Sequence, residues 1–169
     1  DEANVSRRQD KYAQVLLDVY SRWLQAFPTK DKTAVTVRKA LKRFLGPNVT
    51  PEYIYSDKAP EIEKGIKLLD WEDRHDTSTP NRPQNNGVIE RAVKQVVQGT
   101  IALLMQSGLS EDWWCDAMRC FCFLHNVTDV LHTGFTPYQM RFDNDFKGPI
   151  IDFGQEVQYK PSQPKRRKQ

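Results

Sequence analysis

The sequence predicts an α/β fold, a mixed sheet flanked by helices, and three observations lead to it. Two apolar runs stand close together near the N-terminus, as the arms of a hairpin do. Helical and strand patterns then alternate through the middle of the chain. The second half carries two long helical patterns parted by Gly108. Strands first and alternation afterwards argue for helices layered on a sheet.

The elements follow in order. Tyr12 to Val19 is rich in apolar residues and reads as a strand, and Trp23 to Phe27 as a second, with a turn over Asp18-Val19-Tyr20-Ser21 between them. From Thr33 to Leu45, Val37, Leu41, Phe44 and Leu45 recur at helical spacing. Asp31 is the expected cap of that helix, and Gly46-Pro47 its stop. Tyr53 to Ser56 reads as a third strand, and Glu61 to Leu69 as a short helix with Ile62, Ile66 and Leu69 on one side. Asp76 to Asn86, built of Ser, Thr, Asn, Gln and Pro, reads as a loop. A helix is expected from Gly87 to about Met105, with Ile89, Val93, Val96, Thr100, Ile101 and Leu104 as its inner stripe. Ser110 is the expected cap of the next helix, whose first turn holds Glu111 and Asp112, and which runs to about Asn126. Thr136 to Phe142 reads as a short helix with Thr136 as cap and Pro137 at its first position. Glu156 to Tyr159 reads as a last strand. Residues 1–159 are expected to form one domain, and residues 160–169 a basic disordered tail.

The 169 residues suffice for one domain with a real core. No apolar run approaches the ~20 residues of a membrane helix, and no secretory leader is visible. The formal net charge of +3 is misleading. Lys160, Lys165, Arg166, Arg167 and Lys168 carry it; without them 20 basic side chains face 22 acidic ones, a net of −2. The body therefore has no wholesale basic footprint, and any contact with nucleic acid must come from a local patch. Cys115, Cys120 and Cys122, with His125 nearby, fall in one apolar helix rather than in pairs across a turn. Buried thiols fit that pattern better than zinc ligands.

Two segments carry chemistry. Ser56-Asp57-Lys58-Ala59-Pro60-Glu61 ends a strand on Asp57, and Asn81-Arg82-Pro83-Gln84-Asn85-Asn86-Gly87-Val88-Ile89-Glu90-Arg91 leads into a helix bearing Glu90. Carboxylates from separate elements can chelate a hard cation through oxygen. Read alone, Glu90 with Lys94 four residues on is an ordinary solvated pair, and Asp57 an ordinary turn residue. Together the two blocks resemble the catalytic core of retroviral and retrotransposon integrases. Leu16-Leu17-Asp18-Val19-Tyr20-Ser21-Arg22-Trp23 resembles the family's second strand. Trp113-Trp114 with Ala117, Leu124-His125-Asn126 and Thr136-Pro137-Tyr138 resemble the downstream part of long-terminal-repeat retrotransposon integrases, most like the copia type.

The resemblance implies a ribonuclease H-like fold with three metal-binding carboxylates, the second and third matching Asp57 and Glu90. In the family the first precedes the Ser matched by Ser21, and by that analogy it is Asp1, twenty residues ahead. The implied cofactor is Mg2+, or Mn2+, held by these three. The implied activity is processing of DNA 3′ ends and their transfer into target DNA, by a homo-oligomer on double-stranded DNA in the nucleus. Lys94 matches a family lysine that meets phosphate. Lys58, Arg91 and the amides of Gln84 and Asn85 are further candidate DNA contacts. Three departures stand out. Lys58-Ala59 replaces the usual Asn-Gly, Val97 replaces a second lysine, and the 32 residues between Asp57 and Glu90 are fewer than in retroviral members. The alternatives are a catalytically decayed DNA-binding or oligomerising module, and a metal-dependent nuclease of the same fold. His75 and the Trp113-Trp114 pair read as structural, and the cluster from Lys165 to Lys168 as a candidate import signal.

Overall fold

The computed structural model describes residues 5–77 and 83–158, with backbone alone at 83–86. Asp1, Tyr159 and the tail 160–169 lie outside the described residues.

Strands β1 (Tyr12–Leu17) and β2 (Leu24–Thr29) pair antiparallel, with Tyr12 opposite Thr29 and Leu17 opposite Leu24. Asp18 shapes the turn between them. Its carboxylate accepts the Ser21 hydroxyl at 2.5 Å and the Tyr20 N–H at 3.1 Å. Arg22, at φ 61°, takes the left-handed conformation that completes the reversal. Pro28 is tolerated in β2 because, among the described residues, β1 is that strand's one ladder partner.

Successive strand side chains point to opposite faces, and β1 uses both. Val15 and Leu17 pack with Leu24, Ala26, Ala92, Val96, Met118 and Cys122. Leu16 packs the other way, with Val37, Leu41, Ile66 and Trp71. The hairpin is thus the middle layer between two helical ones. One comprises α1 (Ala34–Leu45) and α2 (Pro60–Lys67); the other comprises α3 (Pro83–Ser107) and α4 (Trp114–Thr128). A second, parallel ladder joins β3 (Ile54–Ser56) to β4 (His75–Thr77), with Ile54 opposite His75 and Ser56 opposite Thr77.

Several expectations are corrected. Helix α1 is capped by Thr33, in a reciprocal capping box with Thr36, and not by Asp31. Asp31 instead accepts the Thr33 hydroxyl at 3.0 Å. The polar stretch expected to be a loop from Asp76 to Asn86 contributes Asp76 and Thr77 to β4, and α3 begins at Pro83 rather than Gly87. Proline suits a first helical turn, where its missing N–H has no partner to lose. Ser110 takes the N-cap position ahead of a 3-10 turn rather than of α4, and its hydroxyl meets the Asp112 carboxylate instead of a backbone N–H. A single 3-10 turn, Glu111–Trp113, precedes α4. Residues 156–158 are irregular and exposed, so the expected last strand is absent from its described part.

The inner stripe of α3 also differs. Ala92, Val96 and Thr100 are buried, whereas Val93 is 40% and Ile101 52% exposed. The helix turns its smallest residues inward so that α4 can come close. A Cβ added at Gly99 would lie 2.0 Å from the Phe121 ring, so α3 and α4 are in contact there without room for a methyl group. Helix α4 in turn is tied to β2 by Asn126, which is 2% exposed. Its side chain accepts the Leu24 N–H at 2.9 Å and donates to the Leu24 carbonyl at 2.7 Å. Trp114 packs against the same core, and the Arg7 guanidinium covers the Trp113 ring at 3.7 Å; the structural reading of this pair holds. The short helix α5 (Pro137–Phe142) has the expected Thr136 cap, with Gln139 closing the box.

Candidate active site

Asp57 stands at the C-terminal end of β3, where the chain turns sharply into α2. The turn is closed by two bonds to the Asp57 carbonyl, from the Ala59 N–H and the Ser56 hydroxyl, each at 2.9 Å. Pro60 then opens α2. Glu90 lies about two turns into α3 rather than in its first turn, because the helix starts at Pro83. Both carboxylates are exposed.

The structure brings these two together with Lys94. Asp57, Glu90 and Lys94 line one cleft of about 540 Å3, with Ile89, Val93, Val97 and Gln98 completing its wall. Glu90, Lys94 and Gln98 recur every four residues and so share one face of α3. The ordinary Glu90–Lys94 ion pair does not form. Arg8 pairs with Asp116, and His125 Nδ1 meets the Asp129 carboxylate at 2.7 Å; neither contact involves Asp57, Glu90 or Lys94. The cleft therefore offers two unpaired carboxylates against one ammonium, over an apolar floor. Oxygen donors of this kind suit a hard divalent cation. Asp1 lies outside the described residues, and among those described no three His, Cys, Asp or Glu side chains cluster.

The other candidates divide. Lys58 is exposed beside the cleft and does not line it. Arg91 bonds back to the Gly87 carbonyl at 2.9 Å and lines a neighbouring groove of about 430 Å3 between α3 and α4. The side chains of Gln84 and Asn85 lie outside the described residues. Lys94 and Gln98 belong to both cavities, which makes them continuous along α3. Gln95, Phe121 and Asp129 in the second groove were not anticipated. Gln95 was within reach, being four residues from Arg91 on the same helical face, but Phe121 and Asp129 arrive from α4 and its C-cap by tertiary packing alone.

Elsewhere, His75 is paired with Ser56 across the parallel ladder, its Nε2 2.8 Å from the hydroxyl. Cys115 and Cys122 follow the buried-thiol reading, and Cys120 is only partly buried. Burial pushes Cys115 and Cys122 up to about 12, and burial also raises Cys120. Thiols so held stay protonated at neutral pH and are poor metal ligands and nucleophiles.

No protein-family model matches the chain. It is 30% identical over 147 residues to the Gag-Pol polyprotein of koala retrovirus, an alignment covering 82% of this chain and 8% of that relative. It is 27% identical over 161 residues to the Gag-Pol polyprotein of woolly monkey sarcoma virus, covering 90% and 9%. The chain thus spans less than a tenth of the length of these curated relatives. Among solved structures it superposes on the HTLV-2 integrase catalytic core domain in complex with magnesium, in its trimeric form. The TM-score is 0.60 at 18% identity, covering 76% of this chain and 82% of that one. For the catalytic core domain of BIV integrase the values are 0.58 and 23%, covering 78% and 85%. For a simian T-cell lymphotropic virus intasome they are 0.62 and 22%, covering 88% and 54%.

Proposed function

We propose that this chain, a ribonuclease H-like integrase catalytic core by fold and by sequence relationship, carries out metal-dependent processing of DNA 3′ ends and their joining to target DNA for a retrovirus-like or retrotransposon element. One observation carries the reading. Two carboxylates distant in sequence, Asp57 and Glu90, line one cleft with Lys94, and among the described residues neither forms an ion pair.

Asp57 and Glu90, with Asp1 as the third member, would hold Mg2+ or Mn2+. A bound divalent cation supplies Lewis acidity at the scissile phosphate and lowers the pKa of the attacking hydroxyl. The chain's own groups do the remaining work. Lys94 offsets phosphate charge at the cleft mouth, and Arg91 extends that contact into the second groove. Ile89, Val93 and Val97 keep the floor apolar, which strengthens charge interactions above it. Lys58 reaches phosphate from the turn after β3, and Gln84 and Asn85 contact the DNA from the segment that opens α3. No nucleophilic side chain enters, since the attacking oxygen comes from water or from a DNA 3′-hydroxyl. The working form is a homo-oligomer on double-stranded DNA in the nucleus; solved relatives in fold include trimeric and dimeric forms and an intasome. Among the described residues no helix is long and apolar enough to cross a membrane.

A decayed, non-catalytic core is the second reading, favoured by Val97 in the place of a lysine. Incubation with element-end DNA, a target duplex and Mg2+ separates the readings. Joined strands are expected. Cut ends without joining would indicate a nuclease, and unchanged DNA a decayed core.

A further inference from the structure

We infer that Ser56 and His75 form a positioning relay that aims Asp57, an inference that rests on the metal-centre reading above. Ser56 ends β3 immediately before Asp57, and His75 opens β4. The Ser56 hydroxyl donates to the Asp57 carbonyl at 2.9 Å. A hydroxyl has one proton to give, so in its 2.8 Å contact with His75 it accepts, and His75 Nε2 carries the hydrogen. The Ala59 N–H reaches the same Asp57 carbonyl at 2.9 Å. The peptide that follows Asp57 is therefore held by two donors, one of them fixed in turn by the imidazole.

That matters because the Asp57 carboxylate has no such support of its own. Among the described residues it takes no ion pair and no hydrogen bond. Its direction is set by its backbone, and its backbone is set by Ser56 and Ala59. The parallel register makes the contact possible: His75 lies opposite Ile54 and Ser56 opposite Thr77, so Ser56 and His75 are diagonal neighbours on one face of the ladder. Both members are partly buried while Asp57 is exposed, so the carboxylate that the relay aims is open to a ligand. Neither Ser56 nor His75 touches the cation; both act through Asp57.

Mn2+ affinity of the whole chain, read by water-proton relaxation without DNA, tests the relay. Ser56→Ala and His75→Phe are expected to weaken Mn2+ binding about tenfold, the usual scale for groups that orient a ligand, while the metal-free melting temperature stays near that of the parent. His75→Gln, whose amide N–H can take the place of Nε2–H, is expected to return affinity to within about threefold of the parent. Parent-like binding by both Ser56→Ala and His75→Phe overturns the relay, as does His75→Gln binding no better than His75→Phe. Ser56→Ala decides the matter if His75→Phe does not fold. A parent chain that binds no Mn2+ overturns the metal centre itself, a different failure from loss of the relay alone.

Discussion

Asp57→Asn and Glu90→Gln are each expected to abolish strand joining while the protein stays folded. Both replacements keep size and shape and remove the negative charge that would hold the proposed divalent cation. Loss of metal assistance costs several kcal/mol of transition-state stabilisation, so joining falls by about three orders of magnitude or more. Stability is spared for a structural reason. Both side chains are exposed and, among the described residues, make no ion pair whose loss would unsettle the fold. If the two carboxylates act as one unit, as the proposed metal centre requires, the double variant is expected to be no worse than either single one. Rates from a joining assay, with melting temperatures taken alongside, check this. Joining by Asp57→Asn at even a tenth of the parent rate, an effect of only about 1.4 kcal/mol, removes Asp57 from the chemistry.

Asn126→Ala has the largest expected effect on stability. It strands the Leu24 N–H and carbonyl, which now face a paired amide in a site 2% exposed. Each unsatisfied buried group costs about 1–3 kcal/mol, and the lost side chain leaves a small cavity as well. A total of about 3 kcal/mol lowers the melting temperature by about 10 °C in a domain of this size. Thermal unfolding followed by circular dichroism measures it. A change within about 2 °C would show that α4 is held on β2 by apolar packing alone.

Local signals were enough for much of the fold. Thr136-Pro137 fixes the start of α5, and the spacing of Val37, Leu41 and Phe44 fixes the buried face of α1, because capping and amphipathicity act within a few residues. The errors arose where tertiary packing overrides local preference. Hydrophobicity alone favours Val93 and Ile101 over Ala92 and Gly99 as the inner face of α3, yet close approach of Phe121 selects the small residues. The bond from Asn126 to Leu24 spans 102 residues, and nothing local announces it. Polar composition disguised the short strand β4, whose apolar content is low because it needs only three residues to pair with β3.

The candidate site was legible to a different degree. Asp57 and Glu90 were readable because each sits in a distinctive block that resembles the integrase pattern, and Lys94 because it matches a lysine of that family. Their meeting in one cleft is a property of the fold, set by β3 on one side and α3 on the other. The role of Ser56 and His75 could not be read in advance, since it depends on the parallel pairing of two three-residue strands.

Crystals of the chain soaked in Mn2+ and measured at the manganese absorption edge test the central claim most directly. An anomalous peak bonded to carboxylate oxygens of both Asp57 and Glu90 is the expected result. Manganese bound elsewhere, or at one of these residues with the other turned away, would contradict it.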